Sequence, residues 1–384
     1  MIKKYLLLIT LLLGLSNAHA EAPRISLLTC GPTDEYVFYL YGHTALRVQY
    51  GDTDLVYNYG YFSLEQKNFL INFMIGKPMY SLGVTTFQDF LWEYSAQGRE
   101  VVEQELALTD EEATLLSDKL NWNALPENRD YQYNFYFDNC ATRPRDMIEE
   151  AVGGLRYDFP LDQLPTFREA IRGKSHTAVW YTLGADICLG WKSDRQMSIR
   201  DAGFLPELLA QEMDTARRVD TGELLVTKKT TWVPQTRVIN NPVEKCHFPL
   251  IVFLLIGLYL YLLKWGKWDK ARIVSEKVLY ALLTIGGVTV WFLALFSEHP
   301  HTWPNANMLF LHPFWLWLVF THGRKKCHSS NKWLYFCNFV AIALYLLSST
   351  FQRLPIDLPV LALVVAWNQI DRWRACRNEA RTDE

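Results

Sequence analysis

Apolar residues are spread along this chain in two unlike ways. Through residue 245 they come in short alternating or helix-spaced groups separated by polar turns, and from residue 248 to 370 they come in long runs. The first pattern predicts mixed strands and helices. Arg24–Thr29 reads as a strand closed by the Gly31-Pro32 turn. Val37–Tyr50 reads as a second strand. From Thr44 it alternates, with Leu46, Val48 and Tyr50 on one face and His43, Ala45, Arg47 and Gln49 on the other. That parity is wrong for a core histidine and suits one that opens into a cleft. Gly42 leaves room for a neighbouring backbone. Gly51-Asp52 turns the chain into Leu55–Phe62, a return strand that brings Asn58 near His43.

Helix and strand then alternate. Leu64–Ile75 and Thr86–Tyr94 read as helices around the strand Met79–Thr85, and Glu100–Leu108 as a further strand. Thr109-Asp110-Glu111-Glu112 is a capping box that opens a helix reaching Trp122. Tyr131–Phe137 reads as an aromatic extended run ending at Asp138-Asn139, followed by Cys140 and a helix with Pro144 in its first turn and Gly153-Gly154 as its stop. Pro165–Arg172, Thr177–Leu189 and Leu205–Arg217 read as helices, and Val219–Trp232 as a closing hairpin.

The long apolar runs predict membrane. Phe248–Leu263, Val278–Ser297, Met308–Phe320, Trp333–Thr350 and Ile356–Ile370 are five segments near the spanning length. Lysine and arginine crowd the first and third loops and the tail, and are absent from the second loop, Glu298–Asn307. By the positive-inside rule the odd loops and the C-terminus are cytoplasmic. Met1–Ala20 has the form of a secretory signal: Lys3 and Lys4, the apolar run Tyr5–Leu15, then Ala18-His19-Ala20. The expected organisation is a signal peptide over 1–20, an exported α+β domain over 21–245, an all-α domain of five transmembrane helices over 246–371, and a cytoplasmic tail over 372–384. This is the plan of a multi-pass protein of a bacterial inner membrane with its large domain in the periplasm.

Composition changes this picture little. A formal net charge of −3 over 384 residues, with no basic face interleaved with aromatics, gives no sign of nucleic-acid binding. The seven cysteines include Cys30, Cys140, Cys188 and Cys246 in the exported part, an oxidising compartment. With Cys140 free, Cys30 and Cys188 are left as a candidate disulfide pair. No metal-ligand spacing of the Cys-x-x-Cys or His-Glu-x-x-His kind occurs, and no cofactor motif.

Candidate chemistry centres on Cys140. A cysteine at the junction of an extended segment and a helix N-terminus sits among free amide donors, which favour thiolate. A nucleophile of this kind needs a base and a group that orients the base. His43 is the best base, ahead of His176, and Asn58 is the candidate orienting group. Asp138 and Asn139 are candidates for capping or oxyanion contacts. Arg143 and Arg145 are candidates for holding a phosphate or carboxylate head group, and Tyr41 and Tyr133 are further substrate-binding candidates. The second loop, with His299, His301, Asn305 and Asn307, is too polar and Pro-rich for a mere connector and reads as a ledge for lipid and acceptor on the Cys140 side. A histidine strand followed by a helix-start cysteine is similar to circularly permuted papain-like folds, including the lecithin:retinol acyltransferase group. The same pair also fits a membrane-tethered cysteine peptidase, a peptidoglycan amidase or a phospholipase.

Several stretches together carry a closer resemblance: Ile25-Ser-Leu-Leu-Thr-Cys-Gly-Pro, Tyr41-Gly-His-Thr-Ala-Leu-Arg-Val, Asn58-Tyr-Gly, Tyr133-Asn-Phe-Tyr-Phe-Asp-Asn-Cys-Ala-Thr-Arg and His299-Pro-His-Thr-Trp-Pro-Asn-Ala-Asn. With these in view the chain resembles the Lnb family of bacterial lipoprotein N-acyltransferases. The resemblance spans nearly the whole mature chain and departs at His312-Pro313, where Asn-Pro is expected. It implies that Cys140 takes an acyl chain as a thioester, activated by His43. The acyl group then passes from a phospholipid donor to the α-amino group of a lipoprotein's N-terminal cysteine.

Overall fold

The computed structural model describes residues 22–160, 164–237, 239, 247–323, 327 and 329–382. The expected signal peptide and Cys246 lie outside them. In chain order the N-terminal domain contains β1 (Arg24–Cys30), β2 (His43–Tyr50), β3 (Thr53–Tyr61), α1 (Phe69–Met74), β4 (Met79–Thr86), α2 (Phe87–Ala96), β5 (Val101–Leu106), α3 (Asp110–Ala124), β6 (Asp130–Gln132) and α4 (Thr142–Ala151). It continues with β7 (Leu155–Tyr157), α5 (Phe167–Ser175), α6 (Val179–Cys188), α7 (Ile199–Ala202), α8 (Pro206–Thr215), β8 (Ala216–Arg218) and β9 (Val226–Val233). The helical domain consists of α9 (Phe248–Trp265), α10 (Asp269–Phe296), α11 (Asn307–Phe310), α12 (Trp315–Thr321), α13 (Ser329–Leu347) and α14 (Leu358–Thr382).

Seven strands form one antiparallel sheet in the order β6-β4-β3-β2-β1-β5-β9. Both of its faces are covered. One carries Leu27, Leu46, Val48, Tyr57 and Tyr59 against Leu116 and Leu120 of α3, Met147 and Ile148 of α4, and Leu209 and Met213 of α8. The other carries Leu28, Cys30, Ala45 and Val56 against Phe87, Phe90 and Tyr94 of α2. The polar face of β2 is therefore roofed by α2 and is not a cleft. Arg47 is satisfied there by Glu103 at 2.9 Å and Asp54 at 2.8 Å, with its guanidinium 3.5 Å over the Phe87 ring. His43, at the strand's first position, and Gln49, near its far end, stay partly open.

Other predicted elements shift for local reasons. Val37–Tyr41 is a 3-10 turn, and β2 begins after Gly42, which has φ +78. A Cβ at Gly42 would lie 2.7 Å from the Cys30 carbonyl oxygen, so glycine is needed for β2 to enter beside β1. The helix expected over Leu64–Ile75 shrinks to α1. The Val219–Trp232 hairpin is replaced by β9 on the sheet edge and by β8, which pairs with β7.

Among the described residues of the second domain, three helices are long and apolar enough to cross a membrane: Phe248–Trp265, Asp269–Phe296 and Ser330–Thr350. Met308–Phe320 is broken at His312-Pro313 into α11 and α12, and the apolar part of α14 is continued by Asp371, Arg372 and Arg374. The candidate disulfide between Cys30 and Cys188 is not formed: both are free thiols. Cys30 packs under α2 and Cys188 ends α6 at the junction with the helical domain, so they belong to different parts of the interior. Among the described residues, a disulfide joins Cys327 to Cys376.

Candidate active site

The segment leading to Cys140 is shaped by side chains that bond their own backbone. After β6, Asn134 and Asp138 close a tight loop, N–H to carbonyl in both directions at 2.9 and 3.0 Å. The Asn134 side-chain oxygen accepts from the N–H groups of Tyr136 and Phe137 at 3.1 Å. The expected extended run thus ends at Gln132. Asn139 then caps the next helix. Its oxygen accepts from the N–H groups of Ala141 and Thr142 at 2.8 and 2.9 Å, and its amide donates to Phe135 and Phe204 carbonyls. Every polar atom of this buried amide is used in holding the loop, so Asn139 positions Cys140 and offers no donor to a substrate.

Cys140 reaches the sheet where β2 begins. The backbone N–H groups of Thr44 and of Cys140 itself are near enough to its sulfur to favour the thiolate, and its Cβ lies 3.6 Å from the Cβ position of Gly60 on β3. His43 is the residue next to Thr44. Its ring Nε2 lies 3.3 Å from the Asn58 Oδ1, and the Asn58 amide is turned toward Val56 O and Thr85 Oγ1. His43 and Asn58 are thus in side-chain contact, and Cys140 lies against the backbone of Thr44, the residue that follows His43.

The electrostatics differ from the thiolate expected of a helix start. Burial pushes the Cys140 thiol up to about 11, although the two N–H groups and Arg99 pull it down. Burial and then Arg99 hold His43 down at about 4, against the Asn58 hydrogen bond, which raises it. Desolvation outweighs the amide donors, and the pair rests as neutral thiol and neutral imidazole.

Arg99 has no signal in the sequence beyond following the turn glycine Gly98. It is only 1% exposed, and donates from Nε to Gly31 O at 2.8 Å and from Nη1 to the Gln97 side chain at 3.1 Å. Its guanidinium lies between Tyr39 and Tyr94, 4.8 and 4.6 Å from their centroids, and its buried Nη2 has no hydrogen-bond partner. Its charge reaches Cys30, His43 and Cys140 together. Burial first, and then the nearness of Cys140, raises the pKa values of Tyr80, Tyr131 and Tyr133, and Tyr80 and Tyr133 stack at 4.1 Å.

The other candidates are placed as follows. Arg143 and Asp138 are bonded to each other at 2.5 and 2.9 Å, and the Arg143 guanidinium lies 3.7 Å over the Tyr131 ring. The Tyr41 hydroxyl lies 3.1 Å from that of Tyr181 on α6. His299 meets the Phe73 carbonyl of α1 at 2.5 Å. The His301 ring packs against Phe167 and Tyr136. Asn305 and Asn307 are buried, and both donate to the last carbonyls of α6, at 2.9 Å to Ile187 O. These two amides join the domains and do not face open space, a correction to the ledge expected of them.

The two halves of the chain match two family models in turn. Residues 15–173 match the Lnb N-terminal periplasmic domain, and residues 241–373 match the Lnb transmembrane domain. No curated protein and no solved structure gave a match. With both matches in order along a chain that has a sheet-rich domain followed by long apolar helices, this is a membrane protein with a periplasmic N-terminal domain, and it belongs to the Lnb family.

Proposed function

We propose that this protein is a membrane-bound thiol acyltransferase that loads an acyl chain on Cys140 and passes it to the N-terminal amino group of a lipoprotein. The observation that carries the reading is the meeting of the Cys140 sulfur with the strand start that holds His43, itself oriented by Asn58. With Nε2 engaged by Asn58, Nδ1 is the nitrogen left to take the thiol proton. As it does so, sulfur attacks the ester carbonyl of a phospholipid. The N–H groups of Thr44 and Cys140 are the nearest donors for the oxyanion. The tetrahedral adduct collapses with loss of the lysophospholipid oxygen, which takes the proton back from the imidazolium, and an acyl-Cys140 thioester remains. The lipoprotein amine then attacks the thioester carbonyl and gives a proton to His43; the adduct collapses with loss of the Cys140 thiolate, which takes that proton back from the imidazolium. No step needs a cofactor or a metal. The surrounding tyrosines limit water at the thioester, which separates a transferase from a phospholipase.

The permuted papain-like arrangement belongs to the same proposal. So does the count of five spans, with α11–α12 and α14 completing the three long helices. So does an inner-membrane orientation with the C-terminus in the cytoplasm, which rests on the lysines and arginines of the odd loops and tail. In cells that rely on this protein, Cys140→Ala is expected to leave mature lipoproteins one acyl group lighter, read by mass spectrometry of their N-terminal peptides. Unchanged masses would overturn the reading. Peptide or cell-wall cleavage by the full-length protein would favour a hydrolase in its place.

A further inference from the structure

The N-terminal domain carries an apolar surface that its own core does not use. In α1, Phe69 is buried, but Leu70, Ile71 and Met74 are 70%, 59% and 43% exposed. Phe38, on the 3-10 turn before β2, is also exposed, and Leu64 lies between the two elements in sequence at 67%. The Phe38 and Phe69 rings meet through Phe62, at 5.2 and 5.5 Å, so the two elements form one continuous patch. The run Phe69–Ile75 contains no charged residue, while Lys67 and Lys77 flank it. A patch of this kind on a soluble face would be a liability.

Its position says what covers it. The C-terminal end of α1 is fastened to the segment that leaves the membrane after α10. Glu298 N donates to Ile75 O at 2.8 Å, His299 lies against the Phe73 carbonyl and ring, and Lys77 pairs with Glu298 at 2.7 Å. A Cβ at Gly76 would lie 2.6 Å from the His299 N, so the two backbones are in direct contact. α10 ends at Phe296 with Leu295 and Phe296 exposed, so the lipid-facing surface of that helix runs on into α1. On the other side, an unbroken series of stacked rings leads inward: Phe62 to Tyr80 at 4.8 Å and Tyr80 to Tyr133 at 4.1 Å, beside Cys140.

We infer that α1 and the Phe38 turn dip into the outer leaflet of the bilayer, where they take the acyl chains of phospholipid and align them with the row of rings leading to Cys140. Short apolar helices with basic flanks lie in the interface in this way. The lipid contact stands on the geometry alone, and the route to Cys140 rests on the acyltransferase reading.

The test uses full-length protein in vesicles of phosphatidylethanolamine and phosphatidylglycerol. A benzoylphenylalanine replaces Leu70 in one variant and Lys228, on β9 at the opposite edge of the sheet, in another. Irradiation is expected to add phospholipid mass at position 70 at several times the yield at position 228. Equal yields, or an adduct with protein in place of lipid, would overturn the inference. In a second arm, the Leu70→Asp/Ile71→Asp variant is expected to load Cys140 from vesicle phospholipid about tenfold more slowly, with iodoacetamide labelling of Cys140 unchanged. An unchanged loading rate would remove the acyl route. If wild-type protein never forms an acyl-Cys140, the acyltransferase reading fails, and the adduct at position 70 still decides whether α1 sits in lipid.

Discussion

Cys140 and His43 rest uncharged because burial costs each charged form more than its hydrogen bonds return. His43 is competent as a base while it is neutral. With its value held at about 4, the acid limb of thioester formation is expected near pH 4, where an ordinary histidine would give 6.5. The pH dependence of single-turnover acylation measures this, and a limb at the ordinary value would refute it. Arg99 is the positioning residue for these charges: its guanidinium lowers both values. Arg99→Met is therefore expected to move the acid limb upward and to slow iodoacetamide labelling of Cys140 near neutral pH, by about tenfold for each unit that the thiol rises. Arg99→Lys keeps the charge and is expected to restore much of both, which a purely structural role for Arg99 would not do. In the folded protein His43 binds its proton more weakly than it does unfolded, so its contribution to stability is present above pH 6.5 and is lost as pH falls toward about 4.

At the scale of elements, short-range signals were legible and long-range ones were not. The β2–β3 hairpin is local, and the pairing of His43 with Asn58 could be read from its turn. The Thr109 capping box and the Gly153-Gly154 stop also mark real ends. The roof over β2 could not be read, because Arg47 is satisfied by Glu103, far away in sequence, and by the Phe87 ring of α2. Tyr131–Phe137 has strand composition, yet the Asn134 turn overrides it. α8 holds a similar surprise. Its Leu209 and Met213 pack on the sheet, and Glu212 is buried with them, both oxygens without hydrogen-bond partners. Burial, partly offset by Arg145, raises its carboxyl to about 8. The folded state therefore holds a proton that the unfolded state releases above 4.5, and stability falls as pH rises from 4.5 through about 8. Glu212→Gln is expected to abolish this decline and to exceed wild type in Tm at about pH 9. Thermal unfolding of the full-length protein at several pH values checks it, and parallel Tm profiles for the two proteins would refute it.

At the scale of the whole molecule, the proposed transfer requires the two domains to hold Cys140 at a lipid surface, and one backbone crossing joins them. Gly190 N donates to His301 O at 2.7 Å and Trp191 N to Pro304 O at 3.0 Å. Arg168, fully buried, fixes that crossing from behind by donating to the carbonyls of Leu189 and Gly190 at 3.0 and 2.9 Å. Arg172 donates to Leu354 O at 3.0 Å, tying the loop before α14 to the same place. A Cβ on Gly190 would lie 1.9 Å from Pro304 O, a backbone atom that cannot yield without the domains parting. Gly190→Ala should therefore leave the N-terminal domain folded and its thiol normal, yet lift Cys140 away from its donor. The expected outcome is unchanged iodoacetamide labelling and unchanged acylation by a soluble short-chain thioester. Loading from vesicle phospholipid should fall by about tenfold or more, the size of loss expected when reacting groups are displaced by an ångström or so. Gly173→Ala, where a Cβ meets nothing within 4 Å, is the control and should load at the wild-type rate. Equal loading by both variants would mean that the junction does not set the height of Cys140. Loss of the soluble reaction as well would mean that Gly190 supports the fold of the N-terminal domain itself.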